Sequence, residues 1–123
     1  MSRMLEHQHQ VAVIDWWAWM HKGYGLPEFA LFAVPNGGDR HPAVAGKLKA
    51  EGTRAGIPDL VFPVARGAFH GLVIEMKSAA GKHSPAQKEV LAWFVVQDWR
   101  VHTCYSAESA IKALKAYLDL APQ

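Results

Sequence analysis

The middle of the chain holds two apolar, β-rich runs around a short turn, and residues 56–77 read GIPDLVFPVARGAFHGLVIEMK. The runs 59–64 and 71–77 flank the sequence RGAF at 66–69, a pattern that predicts a β-hairpin. With the turn centred on Gly67, Asp59 and Glu75 each lie eight residues from its centre. The hairpin therefore sets these two acids opposite each other, with Cβ atoms roughly 5 Å apart.

The paired acids indicate a metal site. Two facing carboxylates repel each other unless a cation lies between them, and Mg²⁺ prefers oxygen ligands such as carboxylates, waters and phosphate oxygens. The backbone carbonyl of Met76 offers one more oxygen. Lys77 shares a strand face with Glu75, so its ammonium can orient a metal-activated water or offset phosphate charge. These are the parts that metal-assisted phosphodiester hydrolysis requires.

The same residues also have a simpler interpretation. Asp59 can begin a strand after a proline turn, and Glu75 with Lys77 can form an exposed ion pair that contributes little. The apolar run at 72–76 favours the metal site, because an acid buried in such a run costs free energy unless it has a partner.

The remaining patterns predict an α/β fold. They indicate helices over 3–21, 42–51, from Ser84 to about Asp98, and after Ser106, with strands over 29–34 and 100–105. The order α-β-α-β-β-α-β-α predicts a mixed sheet flanked by helices, and 123 residues predict a single domain over 1–123. Apolar residues on two stripes of the first helix predict burial on more than one side. The helix after Ser84 is expected to bury Val90, Leu91, Phe94 and Val95.

Composition excludes several classes of protein. Half of the residues are hydrophobic, which excludes a disordered chain, and the single cysteine excludes a disulfide framework and a Cys-rich zinc site. The most apolar stretch, 11–20, is broken by Asp15 and is too short to span a bilayer, and the first ten residues have no apolar signal core, so we expect a soluble, cytoplasmic protein. The net charge is only +2, yet residues 40–88 carry eight Lys/Arg against three Asp/Glu. A local basic field of this kind favours a polyanionic partner.

Four motifs follow one another along the chain: Asn36-Gly37-Gly38, then Gly56-x-Pro58-Asp59, then Glu75-x-Lys77, then Gln87. In this order they resemble the VRR-NUC (virus-type replication-repair nuclease) domain, a family of the PD-(D/E)xK nuclease superfamily. The resemblance covers nearly the whole chain. It implies a restriction-endonuclease-like αβββαβ core, a mixed sheet flanked by helices.

The resemblance also implies roles for individual residues. Asp59 and Glu75 would ligate Mg²⁺ or Mn²⁺, and Lys77 would be the catalytic lysine. Glu6, on the first helix, would complete the acidic site through metal-bound water, and Gln87 would line it. Each of the last two has an alternative: Glu6 can simply complement its helix dipole, and Gln87 can turn back to the Ser84 amide in a capping box.

The function implied is a DNA endonuclease that leaves 5′-phosphate and 3′-hydroxyl ends, in a bacterial cell or a phage-infected host. A homodimer that resolves Holliday junctions is the leading expectation, with branched or double-stranded DNA as partner. The alternatives are a monomeric flap or 5′-end nuclease, and a non-catalytic DNA-binding module. Basic side chains and a glycine-rich turn near the site are candidates for phosphate contact, although each has an ordinary surface or turn interpretation: Asn36, Gly37, Gly38, Arg40, Lys47, Arg54 and Lys82.

Other conspicuous residues predict structure rather than chemistry. The seven histidines lack zinc-ligand spacing, since His7 and His9 do not share a helical face and no HExxH occurs. Trp16, Trp17 and Trp19 have the spacing of a core or a subunit interface rather than of base stacking. We expect Cys104, within a predicted strand, to be a small buried hydrophobe.

Overall fold

The computed structural model describes residues 3–35 and 41–123, and their elements follow the predicted order. Two 3₁₀ turns, His21–Tyr24 and Glu28–Ala30, were not predicted and connect the first helix to the first strand. The helices and strands are α1 (Arg3–Met20), β1 (Phe32–Ala33), α2 (Pro42–Ala50), β2 (Leu60–Phe62), β3 (Leu72–Met76), α3 (Pro85–Val96), β4 (Arg100–Cys104) and α4 (Ala107–Leu118).

The four strands form one mixed sheet in the order β1-β2-β3-β4. The pairs β1–β2 and β2–β3 are antiparallel, and β3–β4 is parallel. A parallel pair needs a crossover connection, and α3 supplies it between β3 and β4. The predicted α/β fold with a mixed sheet flanked by helices is confirmed.

The main core lies on one face of the sheet, between the strands and the helices α1 and α4. Trp17 of α1 packs edge-on against Phe62 with ring centroids 5.2 Å apart, and its indole nitrogen donates to the carbonyl of Glu28 at 2.8 Å. The Tyr117 hydroxyl of α4 donates to the carbonyl of Val64 at 2.6 Å. Each large ring thus buries apolar area while its polar atom keeps a partner. The core also contains Val13, Leu60, Leu72, Ile74, Met76, Cys104 and Leu114.

The first helix corrects one prediction. Only one side of α1 is buried, through Val13 and Trp17, because this side packs on α4 and, through the Trp17–Phe62 contact, on one face of the sheet. Trp16 is half-buried, whereas Trp19 is 87% exposed. The apolar residues outside the Val13–Trp17 stripe are largely exposed as well, among them Leu5, Val11 and Met20.

Two further expectations about burial are wrong. The predicted buried strand over 29–34 is reduced to Phe32–Ala33 at the sheet edge, since Glu28–Ala30 turns as a 3₁₀ helix and leaves Phe29 80% exposed. In α3, Leu91 is buried, and Val90 and Phe94 are half-buried. Val95 is 58% exposed, because α3 covers the second sheet face with a narrow stripe. Cys104 is buried as predicted.

The ends of the helices follow their sequence signals. Ser84 and Ser106 cap α3 and α4, each in a complete capping box, and Pro85 occupies the first turn of α3. Pro42 opens α2 in the same way. Within residues 3–35 and 41–123, none of the helices combines the length and apolar character needed to cross a membrane.

Candidate functional site

Asp59 and Glu75 meet where β2 begins and β3 ends. The β2–β3 ladder pairs Leu60 with Ile74 and Val61 with Val73, which is the predicted register. Continued by one residue, that register sets Asp59 opposite Glu75, and the two carboxyl groups are hydrogen-bonded to each other. The hairpin therefore brings the two acids together as the sequence predicted.

A proline beside Asp59 changes the end of the ladder. In the same register Pro58 lies opposite Met76, and proline has no N–H, so it cannot donate to the Met76 carbonyl. The Met76 N–H donates to the Asp59 Oδ2 at 2.8 Å instead. The Pro58-Asp59 sequence thus fixes one carboxylate oxygen and excludes the ladder bond that would otherwise occupy the carbonyl.

Glu75 is the one buried charged residue among those described, with 2% of its surface exposed. Burial, followed by the hydrogen bond and the negative charge of Asp59, raises the pKa of Glu75 to about 9, while the charge of Lys77 opposes the shift. At neutral pH the pair therefore holds a proton. Because a divalent cation can replace a proton between two adjacent acids, the half-buried Asp59, the buried Glu75 and the Met76 carbonyl supply oxygen ligands that fit Mg²⁺ or Mn²⁺.

Gln87 has two functions that the sequence presented as alternatives. Its Oε1 accepts from the Ser84 N–H at 2.8 Å, as a capping box requires. Its Nε2 donates to the Glu75 Oε2 at 2.7 Å. The cap of α3 and the orientation of Glu75 therefore depend on the same amide, whose rotamer is held from both sides.

Gly56 joins the loop before Asp59 to the start of α3. Its φ is +84°, and a Cβ atom there would lie 2.7 Å from the backbone of Ala86 and 2.9 Å from the nitrogen of Gln87. A side chain is thus excluded twice, by the left-handed backbone and by the close approach. The motif Gly56-x-Pro58-Asp59 did not predict this packing role, for which the glycine itself is the only local signal.

Lys77 directly follows β3 and is half-buried. Its N–H donates to the Cys104 carbonyl at 2.9 Å, which continues the β3–β4 pairing through this position. The ammonium therefore shares the sheet face of Glu75, and the two groups interact electrostatically. This is the arrangement that the Glu75-x-Lys77 spacing predicted.

The structure does not bring Glu6 into a three-acid cluster. Among the described residues, no group of three or more His, Cys, Asp and Glu side chains could hold a metal ion. Glu6 lies on α1, which packs through Val13 and Trp17 on the sheet face opposite to that of Glu75. Its proposed action through metal-bound water stays a prediction. Four predicted phosphate-contact residues, Asn36, Gly37, Gly38 and Arg40, lie outside the described residues.

The other predicted DNA contacts are exposed. Lys47 lies on α2, Arg54 in the loop before β2, and Lys82 in the connection before α3. A cavity of about 510 Å³ lies beside the site, where the Val34 N–H donates to the Asp59 carbonyl. Its lining contains both apolar and polar residues: Val34, Pro35, Leu48, Glu51, Gly52, Thr53, Arg54 and Ile57.

Comparison with known proteins agrees with this geometry. The profile of the VRR-NUC domain matches residues 5–108. A solved structure described as a VRR_NUC domain protein is similar over 99% of this chain and 94% of its own, with 28% identity and a TM-score of 0.81. No curated protein sequence matches this chain.

Proposed function

Since the chain belongs to the VRR-NUC domain family and has its nuclease-type fold, we propose that it is a metal-dependent endonuclease acting on branched DNA. The observation that carries the proposal is that half-buried Asp59 and buried Glu75 face each other at the end of the β2–β3 hairpin, where burial and the charge of Asp59 raise the pKa of Glu75. A metal-dependent nuclease binds a divalent cation beside the scissile phosphate, and this pair of acids is a place in the described fold where such a cation can bind.

Each residue of the proposed site has its own role. Asp59, Glu75 and the Met76 carbonyl would hold Mg²⁺ or Mn²⁺. A bound divalent cation supplies Lewis-acid activation of water and stabilises negative charge on the phosphate. The Lys77 ammonium orients the attacking water or offsets phosphate charge in the transition state. Gln87 keeps the Glu75 carboxyl in place through its 2.7 Å hydrogen bond.

Exposed cations beside the site support DNA as the substrate. Lys47, Arg54 and Lys82 are all exposed, and Arg54 borders the cavity that adjoins Asp59. Such cations bind backbone phosphates and make affinity depend on salt. Replacing Arg54 with alanine is expected to weaken binding to all DNA sequences and to reduce the slope of log K against log salt by about 1.

A homodimer is the proposed assembly, because two copies supply the two cuts that a symmetric four-way junction requires. The exposed apolar residues of α1, above all Trp19 at 87% exposure, support a self-interface. Sedimentation at low micromolar concentration should find a dimer that Trp19→Ser dissociates. A stable monomer that cuts flaps or 5′ ends would contradict junction resolution.

The deciding experiment is cleavage of end-labelled four-way junction, flap, splayed and linear duplex DNA with Mg²⁺. We expect junction cleavage by the wild type and a loss of at least roughly 100-fold for Asp59→Ala and Lys77→Ala, with binding retained. Asp15→Ala on α1 and Lys112→Ala on α4 are matched controls, since both residues are exposed and carry the same charges. Binding without cleavage by the wild type would identify a non-catalytic module instead.

A further inference from the structure

The connection between β3 and α3, residues 78–83, lies between two groups of the proposed site. At its start it follows Lys77, and at its end Ser84 donates to the Gln87 side chain at 2.8 Å. The Gly81 N–H donates to the Ser78 carbonyl at 2.9 Å, which closes a turn. A Cβ on Gly81 would lie 3.2 Å from the Lys77 Cδ, so this turn packs against the lysine's alkyl chain.

His83 ties this connection to the sheet. Its Nε2 lies 3.0 Å from the Thr103 Oγ1, at hydrogen-bond distance, and both residues are half-buried. Thr103 pairs with Glu75 in the parallel β3–β4 ladder. Because paired residues share a sheet face, Asp59, Glu75 and Thr103 form a row across three adjacent strands. His83 is therefore bonded to the immediate neighbour of the buried acid.

We propose that His83 is a positioning residue for the nuclease reaction, acting through Thr103. The imidazole holds the 78–83 connection against β4. This contact positions Lys77, which precedes the connection, and Gln87, which follows it, relative to Glu75. The inference rests on the proposed nuclease function, but neither His83 nor Thr103 belongs to the motifs that carry the resemblance. Parallel pairing with β4, which local sequence does not encode, is what brings Thr103 to the site.

A positioning role predicts a specific kinetic signature. Outer groups that orient the groups at a metal centre typically change activity by roughly 10- to 100-fold when removed. His83→Ala is expected to lower kcat in this range and to change KM much less, because Lys47 and Arg54, two of the three exposed cations proposed to contact phosphate, lie outside the 78–83 connection. His83→Gln, whose amide can reach the Nε2 position, should restore most of the loss.

A double-mutant cycle separates positioning from direct contact with DNA. If His83 acts through Thr103, Thr103→Val should lower kcat like His83→Ala, and the double variant should lose nothing more. Thr103→Ser keeps the hydroxyl and should retain activity. His70→Ala is the matched control, an exposed histidine in the β2–β3 connection. Additive losses, or wild-type kcat in His83→Ala, would overturn the inference.

A readout without turnover keeps the inference independent of the proposed function. In the metal-free protein, the side-chain NH₂ signals of Gln87 in a ¹H–¹⁵N spectrum report its bond to Glu75. His83→Ala should shift them, and His83→Gln should restore them. Unchanged signals in a folded His83→Ala protein would overturn the positioning role. If those signals shift while the wild type cuts no DNA, the positioning stands and the nuclease proposal fails.

Discussion

Replacing Glu75 with glutamine should make the metal-free protein more stable at alkaline pH. The raised pKa of Glu75, about 9 against an ordinary 4.5, means that the folded chain keeps a proton that the unfolded chain releases. The contribution to stability is complete below about pH 4.5 and is lost progressively as pH rises to about 9. Glutamine is uncharged at every pH, can accept from Gln87 and can donate to Asp59, so this loss should disappear.

The size of the effect follows from the distance between the two pKa values. The ordinary pKa of 4.5 and a pH of about 7.5 differ by about three units. Each unit lowers the free energy of unfolding of the wild type by about 1.4 kcal/mol. At that pH, the free energy of unfolding of Glu75→Gln should therefore exceed that of the wild type by as much as about 4 kcal/mol.

The assay is urea unfolding in EDTA at a series of pH values. Wild-type stability should fall by up to about 1.4 kcal/mol per pH unit across this window, whereas the profile of Glu75→Gln should be flatter by that amount. Cleavage of DNA by the variant should be lost at every pH, so that stability and activity move in opposite directions. Parallel stability profiles for the two proteins would refute the reasoning.

Other substitutions test the surroundings of the site. Gly56→Ala should destabilise by more than about 1 kcal/mol in urea unfolding, because of its positive φ and the 2.7 Å approach to α3; Gly23→Ala, at an open position with ordinary φ, should not. Ser84→Ala and Ser106→Ala should each cost about 1 kcal/mol as lost caps, but only the first should also slow DNA cleavage, because its box contains Gln87. Trp17→Ala should cost roughly 3–5 kcal/mol in the same assay, and a cost under about 1 kcal/mol would contradict its place in the core.

The hairpin could be predicted because its determinants are local. Gly67 and the two apolar runs define the hairpin, but the Arg66–Phe69 bridge at its turn, continued without interruption, would set Asp59 opposite Met76. One extra residue between Phe62 and Arg66 shifts the register so that Asp59 faces Glu75, and the sequence did not reveal this shift. The start of helix α3 could also be predicted, because Ser84, Pro85 and Gln87 form a helix-start signal within four residues.

Burial and long-range neighbours could not be predicted in this way. Two apolar stripes on α1 implied two covered sides, but hydrophobicity does not say whether a stripe faces the chain's own core or is exposed like Trp19. Thr103 reaches Glu75 only through the parallel pairing of β3 with β4, which the whole of α3 separates in sequence. The dual use of Gln87 also needed coordinates, since the sequence does not show that its Oε1 can accept from Ser84 while its Nε2 donates to Glu75.

The central claim is that Asp59 and Glu75 exchange their shared proton for a divalent cation. Calorimetric titration with Mn²⁺ at about pH 7.5, repeated in buffers of different ionisation enthalpy, measures both the affinity and the protons released. We expect the wild type to release about one proton for each Mn²⁺ that it binds, and Asp59→Asn and Glu75→Gln to bind Mn²⁺ weakly or not at all. Tight Mn²⁺ binding without proton release, or equal affinity in either variant, would contradict it.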